Sequence, residues 1–186
     1  NETQNLICLS KHSSILNGGS HVIKVDKNGI VDFECLEELL EEKIPTIVSV
    51  MLANNETGVI QPIKEIATLA HRYGALVHCD AVQAAGKIFI DIVELGVDML
   101  SLSAHKLGGL AGVGALVAPG IANNKDCDLR CLLFGGGQER GYRSGTENLA
   151  GIAGFAAAAN AAQVGLNNFA KLATLRNYID KAIKSF

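Results

Sequence analysis

The chain has 186 residues, of which 48% are hydrophobic and 19% charged, with a formal net charge of −3. This length and apolar content suffice for one domain with a single buried core. The charge balance and the lack of a basic block argue against a nucleic-acid partner. The apolar runs look shorter than the ~20 residues that a membrane span needs, so no membrane partner is expected.

Up to residue 106 the sequence alternates between short apolar runs and amphipathic stretches. The apolar runs predict strands, at Leu6–Leu9, Thr46–Met51, Leu76–Cys79 and Met99–Ser103. The amphipathic stretches predict helices, at Asp32–Glu42, Pro62–Tyr73 and Asp91–Leu95. This alternation favours an α/β fold, in which a mostly parallel central sheet has helices on both faces. Further along, the alanine-rich segment Leu149–Val164 predicts a buried helix, and the more polar Leu166–Phe186 predicts a helical connection.

Polar side chains follow three successive predicted strands. They are Asn54, Asn55 and Glu56, then His78, Asp80 and Gln83, then Ser103, His105 and Lys106. Because ligands of parallel sheets bind beyond the carboxyl ends of the strands, we expect these groups to meet at one edge. A lysine at such an edge can lose solvent, and its neutral amine is a nucleophile towards an aldehyde.

Each of these residues also has a plain structural interpretation. Lys106 could be a surface lysine that closes a strand. Asp80 could cap the short turn Ala81–Ala85, and Asn55 could be a turn residue. The three together, at neighbouring strand ends, favour a site for pyridoxal phosphate, which needs a lysine for its aldehyde and a carboxylate for its ring nitrogen.

Four segments resemble the cysteine desulfurases of the NifS/IscS group, within the class V aminotransferase-like, fold-type I enzymes. They are Met51–Ile63 (MLANNETGVIQPI), His78–Lys87 (HCDAVQAAGK), Ser103–Lys106 (SAHK) and Gly135–Asn148 (GGGQERGYRSGTEN). The resemblance implies the large domain of a pyridoxal phosphate-dependent transferase, similar to that of aspartate aminotransferase. It also implies a homodimer in the cytoplasm, L-cysteine as substrate, and a sulfur-acceptor or iron–sulfur scaffold protein as partner.

The resemblance assigns a role to each matching residue. Lys106 is expected to form the Schiff base with the cofactor, and Asp80 to pair with the pyridinium nitrogen. Gln83 and Asn55 are expected to hydrogen-bond the ring, most simply at its phenolic oxygen. A second set is expected to hold the phosphate or to move protons. In that set Ser103 and His105 bind the phosphate, Thr146 reaches the phosphate in the partner subunit, and His12 stacks on the ring and takes part in proton transfer.

The chain also departs from the family pattern. Gly109-Leu110-Ala111-Gly112 stands where the family usually has Gly-Pro-Lys-Gly. The upstream phosphate loop, the persulfide-forming cysteine and the substrate-binding arginine have no match. We therefore expect an interior piece of a longer protein that is inactive by itself. In it, residues 1–165 are the central part of the large domain and 166–186 lead towards a small domain.

The five cysteines are scattered and form no Cys-x-x-Cys pair, as expected for reduced thiols in a cytoplasm-like compartment. Cys127 and Cys131, with Asp126 and Asp128, have a poor spacing for zinc and no nearby histidine, so no metal is expected.

Two classes of function remain open at this point. The first is a cysteine desulfurase that converts L-cysteine to L-alanine and passes the sulfur to an enzyme persulfide, with selenocysteine lyase or another class V enzyme as the alternative. The second is a non-catalytic dimerising scaffold.

Overall fold

A computed structural model describes residues 4–8, 21–119, 131 and 133–185 of the chain. Its centre is a six-stranded sheet in the order β2-β1-β3-β4-β5-β6. The strands are β1 (Gln4–Cys8), β2 (His21–Ile23), β3 (Thr46–Met51), β4 (Leu76–Asp80), β5 (Met99–Ser103) and β6 (Gly114–Val117). All neighbours from β2 to β5 are parallel, and β6 alone among them pairs antiparallel, with β5. The predicted mostly parallel sheet is thereby confirmed.

Four α-helices accompany the described strands, together with two short 3-10 turns. The helices are α1 (Phe33–Leu40), α2 (Ile63–Arg72), α3 (Ile92–Leu95) and α4 (Leu149–Ile183), and the 3-10 turns are Ala104–Lys106 and Glu139–Gly141. The first three fall where helices were predicted. Asp32 begins α1, because its side chain accepts a hydrogen bond from the backbone N–H of Cys35 at 3.1 Å. Gly96 ends α3 in the left-handed conformation that glycine adopts without strain.

The main core lies on one face of the sheet. Alternate residues of the central strands, among them Val48, Val77 and Cys79, point into it and are fully buried. Helices α1 and α2 supply the opposing layer through residues such as Leu36 and Ile66, both fully buried. Each fully buried aliphatic side chain of this kind contributes roughly 1.5–3 kcal/mol. Cys79 is therefore part of the packing.

The other face of the central strands is more polar. His78 on β4 bridges two serines on the neighbouring strands, with Nδ1 2.9 Å from Ser49 Oγ and Nε2 3.1 Å from Ser101 Oγ. Helices α1 and α2 pack on the opposite, apolar side. A hydroxyl–imidazole–hydroxyl chain satisfies these half-buried polar groups and ties β3, β4 and β5 together.

Helix α4 differs from its prediction. It runs without a break from Leu149 to Ile183, and of its residues Gly151 and Ala158 alone are buried. Apolar side chains such as Val164 and Leu172 are exposed. The predicted helix over Leu149–Val164 is therefore confirmed, but its predicted burial is wrong within the described chain, because composition identifies an apolar segment but not the surface that covers it. The predicted division at residue 165 stays a prediction.

Helix α4 also passes a test of length and composition for a membrane span. Its most apolar 18-residue window has a mean hydropathy of 1.4, and 11% of that window is buried. This differs from the sequence-based expectation, which overlooked that residues 149–170 carry no charge. The stretch is rich in alanine, which raises the mean hydropathy without forming a long run of large apolar side chains.

Gln61 links the β3–α2 connection to the segment before α1. Its side chain is 3% exposed; Oε1 accepts from the Val31 N–H at 3.0 Å and Nε2 donates to the Gly29 carbonyl at 2.6 Å. Gln61 lies in MLANNETGVIQPI, the first of the segments that resemble the family, but that resemblance assigns it no role. The structure gives it one, because a single amide satisfies two backbone groups of a neighbouring loop.

We predict that Gln61→Met, which keeps the side-chain length, lowers the free energy of unfolding by about 2 kcal/mol. The substitution leaves the buried Val31 N–H without an acceptor, and such a group costs ~1–3 kcal/mol. Urea denaturation followed by circular dichroism measures the change. Gln163→Met, at an exposed position of α4, is the matched control and should stay within about 0.5 kcal/mol. Equal stability of the two variants would contradict the role given to Gln61.

Candidate functional site

The carboxyl ends of β3, β4 and β5 lie side by side. In the register of the sheet, Asp80 pairs with Met51 on one side and with Ser101 on the other. Side chains two residues apart share a face of a strand, so Ser103 follows Ser101 on the face that also carries Asp80. The structure thus brings the predicted residues of β4 and β5 to one edge, as parallel topology requires.

Asp80 is buried at this edge, with 6% of its surface exposed. Its Oδ1 accepts a hydrogen bond from the Val82 N–H at 3.1 Å, so the turn-capping interpretation is correct for one oxygen. Among the described residues, Oδ2 has no hydrogen-bond partner. A buried carboxylate oxygen without a donor is costly, and a ligand with an N–H group would satisfy it.

The turn after Asp80 carries Gln83. The Ala81 carbonyl accepts from the N–H groups of Ala84 and Ala85 at 3.0 and 2.9 Å, which closes the turn. Gln83 is half-buried, and within the described part of the chain its side-chain amide makes no hydrogen bond. Its donors and acceptor are therefore available for a ligand.

The β5 end folds into a 3-10 turn that holds Ser103, His105 and Lys106 together. Ser103 Oγ lies 2.8 Å from His105 Nδ1. The Ala104 carbonyl accepts from the N–H groups of Leu107 and Gly109, both at 2.9 Å. A Cβ on Gly109 would lie 3.1 Å from that carbonyl oxygen, so the lysine segment turns back on itself as tightly as a glycine allows.

Lys106 is exposed, and its amine makes no hydrogen bond or ion pair with the described residues. The expectation that this lysine loses solvent is therefore not met in the described structure. Desolvation at a strand end depends on what lies over it, and the sequence of the strand does not encode that cover. The amine is nevertheless available to react.

The loop after β3 is organised by Asn54, one of the polar residues that the sequence places after that strand. Asn54 Oδ1 accepts from the N–H groups of Glu56 and Thr57 at 2.9 and 2.8 Å, and from Thr57 Oγ1 at 3.0 Å. The neighbouring Asn55 is exposed. Asn55 lies in the turn at residues 55–57, as its structural interpretation predicted, while the side chain that stabilises this turn is that of Asn54.

Comparison with known proteins adds the family. The family model described as aminotransferase class-V matches residues 5–186. The chain belongs to the aminotransferase class-V family. It is 46% identical over 160 residues to a cysteine desulfurase of Klebsiella pneumoniae, covering 86% of this chain and 39% of that protein. It is 40% identical to cysteine desulfurase IscS of Anaeromyxobacter sp. (strain Fw109-5), covering 95% of this chain and 45% of that protein.

Solved structures agree with this assignment. A NifS-like protein from Rickettsia africae ESF-5 superposes with a TM-score of 0.90 at 36% identity, covering 98% of this class-V chain and 52% of that one. SspA in complex with cysteine superposes with a TM-score of 0.76 at 33% identity, covering 86% and 48%. This chain therefore spans about half the length or less of the relatives it matches.

Neither Thr146, which is expected to reach the phosphate in the partner subunit, nor His12 is tested by the described structure. Thr146 is exposed in the loop between the 3-10 turn at Glu139–Gly141 and α4, and no hydrogen bond of the described residues joins it to Asp80 or Lys106. His12 lies outside the described residues, as do Cys127 and its two flanking aspartates. Cys131 is described and is a partly exposed thiol.

Lys87 lies close to Lys106 and was not predicted. The pKa of Lys87 is lowered from its ordinary value of 10.5, first by burial and then by the positive charge of Lys106. The only signal in the sequence was its place at the end of the segment HCDAVQAAGK. The proximity of Lys87 to Lys106 depends on how the turn after β4 folds back towards the end of β5, and the sequence alone does not show this fold.

We predict that Lys106→Met raises the pKa of Lys87. A like charge disfavours protonation, so removing it favours the ammonium form. The pKa should stay below 10.5 because burial, the larger cause, persists. Heteronuclear NMR of the lysine side chains during a pH titration, assigned with Lys87→Arg, measures it, and Lys64→Met is the control for loss of an exposed lysine charge. An unchanged Lys87 titration in Lys106→Met would show that the two amines do not interact.

Proposed function

We propose that this chain supplies the cofactor-binding part of a pyridoxal phosphate-dependent cysteine desulfurase. The observation that carries the proposal is the buried Asp80, whose Oδ2 has no partner among the described residues, at the same sheet edge as Lys106. The names of the class-V relatives, cysteine desulfurase and IscS, support the reaction.

The residues at the edge fit the cofactor. Asp80 Oδ2 would accept a hydrogen bond from the ring nitrogen, and Lys106 Nζ would bind the aldehyde carbon covalently. Gln83 and Asn55 would donate to the phenolic oxygen. Ser103 and His105 would bind the phosphate through a hydroxyl and an imidazole, groups that suit a phosphate site. Their Oγ and Nδ1 atoms lie 2.8 Å apart, which holds the two side chains together.

When bound, pyridoxal phosphate supplies a ring that withdraws electrons from the substrate Cα. Asp80 would keep that ring protonated by offering a buried negative charge. The amine of Lys106 would accept and return a proton at Nζ. His12 is proposed as a second proton carrier, and Thr146 as a phosphate contact to the partner subunit.

For the whole protein we propose L-cysteine as substrate and L-alanine as product, with the sulfur transferred to a cysteine thiol of the enzyme and then to an acceptor or iron–sulfur scaffold protein. The relative SspA, solved in complex with cysteine, supports the substrate. A homodimer and a cytoplasmic location complete the proposal. The reduced thiols Cys8, Cys35, Cys79 and Cys131 are compatible with that compartment.

We predict that borohydride reduction of the full-length protein with bound pyridoxal phosphate labels Lys106. The exposed amine is at the same edge as Asp80 and is available to the aldehyde. Peptide mapping by mass spectrometry locates the label. Lys87, whose pKa is lowered, is the internal competitor, and a label there, or on any other lysine, would contradict the assignment.

We predict that Asp80→Asn lowers turnover by about 100-fold or more, the loss typical of removing one preorganised electrostatic contact. The amide oxygen keeps the Val82 N–H bond, so the fold should be intact, but it cannot stabilise a protonated ring. Alanine release from cysteine is the measurement.

The matched control is Asp91→Asn, which removes a carboxylate at the start of α3 while its amide oxygen keeps the bonds from Val93 N–H and Glu94 N–H. This variant should retain normal turnover. If Asp80→Asn behaved like the control, Asp80 would have no part in the reaction.

A further inference from the structure

The turn between Asp80 and Lys87 is closed by a lysine side chain. Gly86 has φ of +72°, which swings the chain so that the Lys87 N–H reaches the Ala84 carbonyl at 3.0 Å. In the described structure no backbone N–H then reaches the Gln83 carbonyl. The Lys87 side chain fills that place, because Nζ donates to the Gln83 oxygen at 2.8 Å.

The same turn is packed tightly against the Lys106 segment. A Cβ on Gly86 would lie 2.8 Å from Leu107 Cδ2 and 2.9 Å from Ala162 Cβ. Both distances are shorter than real side chains show, so no residue larger than glycine fits without a shift. The turn that carries Gln83 is therefore packed between Leu107, the residue after Lys106, and Ala162 of α4.

The charge of Lys87 has no ion-pair partner among the described residues. Burial and the nearby Lys106 both disfavour the ammonium form of Lys87. Placing a half-buried lysine beside another cation costs free energy unless a hydrogen bond compensates for the lost solvation. An ordinary surface lysine would instead turn its amine to water, so the bond to Gln83 needs an explanation.

We propose that Lys87 is a positioning residue that fixes Gln83 relative to Asp80 and Lys106. In this role the lysine acts through the backbone of Gln83 and not through a direct contact with the cofactor. Its amine holds the Gln83 carbonyl. This contact sets the position of the Gln83 side-chain amide, which would bind the cofactor ring. This inference rests on the proposed function, since Gln83 has a ligand to hold only if the edge binds pyridoxal phosphate.

A double-mutant cycle in the full-length protein tests the proposal. The variants are Lys87→Met, Gln83→Ala and both together, with Lys64→Met as the control for loss of an exposed lysine. The first readout is the affinity of the apoprotein for pyridoxal phosphate, and the second is the absorption spectrum of the bound cofactor. Thermal melts establish that each variant is folded.

We expect Lys87→Met to weaken cofactor binding about threefold to tenfold, the equivalent of one intramolecular hydrogen bond, and to shift the spectrum in the same direction as Gln83→Ala. In the double variant, Lys87→Met should cause no loss of affinity beyond that of Gln83→Ala. Both substitutions act on the same contact, that of the Gln83 amide with the cofactor. Lys87→Arg, which keeps a charged donor, should restore most of the affinity and the wild-type spectrum.

Three results separate the possibilities. If the wild-type protein shows no saturable binding of pyridoxal phosphate, the proposed function fails and this inference with it. If the wild type binds and Lys87→Met binds equally well with the same spectrum, the inference alone is overturned. It is also overturned if the losses of Lys87→Met and Gln83→Ala simply add, because the lysine then acts on stability and not through Gln83.

Discussion

The parallel pairing of β3, β4 and β5 is the constraint on which the site depends. It places Met51, Asp80 and Ser101 in one row across three strands. Because the strands run the same way, their following loops all leave from one edge. Asp80 thus lies between Met51 and Ser101, which come from widely separated parts of the sequence, and the loops that carry the predicted site residues leave from the same edge.

The two faces of that sheet have different tasks. The face that α1 and α2 cover is filled by aliphatic side chains such as Val48 and Ile66 and supplies most of the stability. The other face carries the chain of hydroxyls and imidazole centred on His78. Since side chains alternate along each strand, a rigid apolar layer directly supports the face on which Asp80 is held.

Turn chemistry decides where the reactive groups point. Asn54 shapes the loop after β3, Gln61 anchors its far side, and Lys87 closes the turn after β4. All three lie in segments that resemble the family motifs. Such motifs therefore contain residues that hold the backbone in place as well as the residues proposed to bind a ligand, and their contacts in the structure identify the first kind.

By itself the sequence determined much of the local structure and the types of side chain that follow the strands. The β-branched run Thr46–Met51 and the amphipathic stretch at Ile63–Arg72 form the predicted elements, and Lys106 lies beyond a strand end as expected. The tertiary structure decided what depends on distant partners. The exposed strand Gly114–Val117 was not predicted, because a four-residue apolar segment that begins with glycine is a weak strand signal; its antiparallel pairing with β5 establishes it. Burial of α4, solvent around Lys106 and the bond from Lys87 to Gln83 are likewise set by neighbours, because accessibility is a property of the packed chain and not of a residue type.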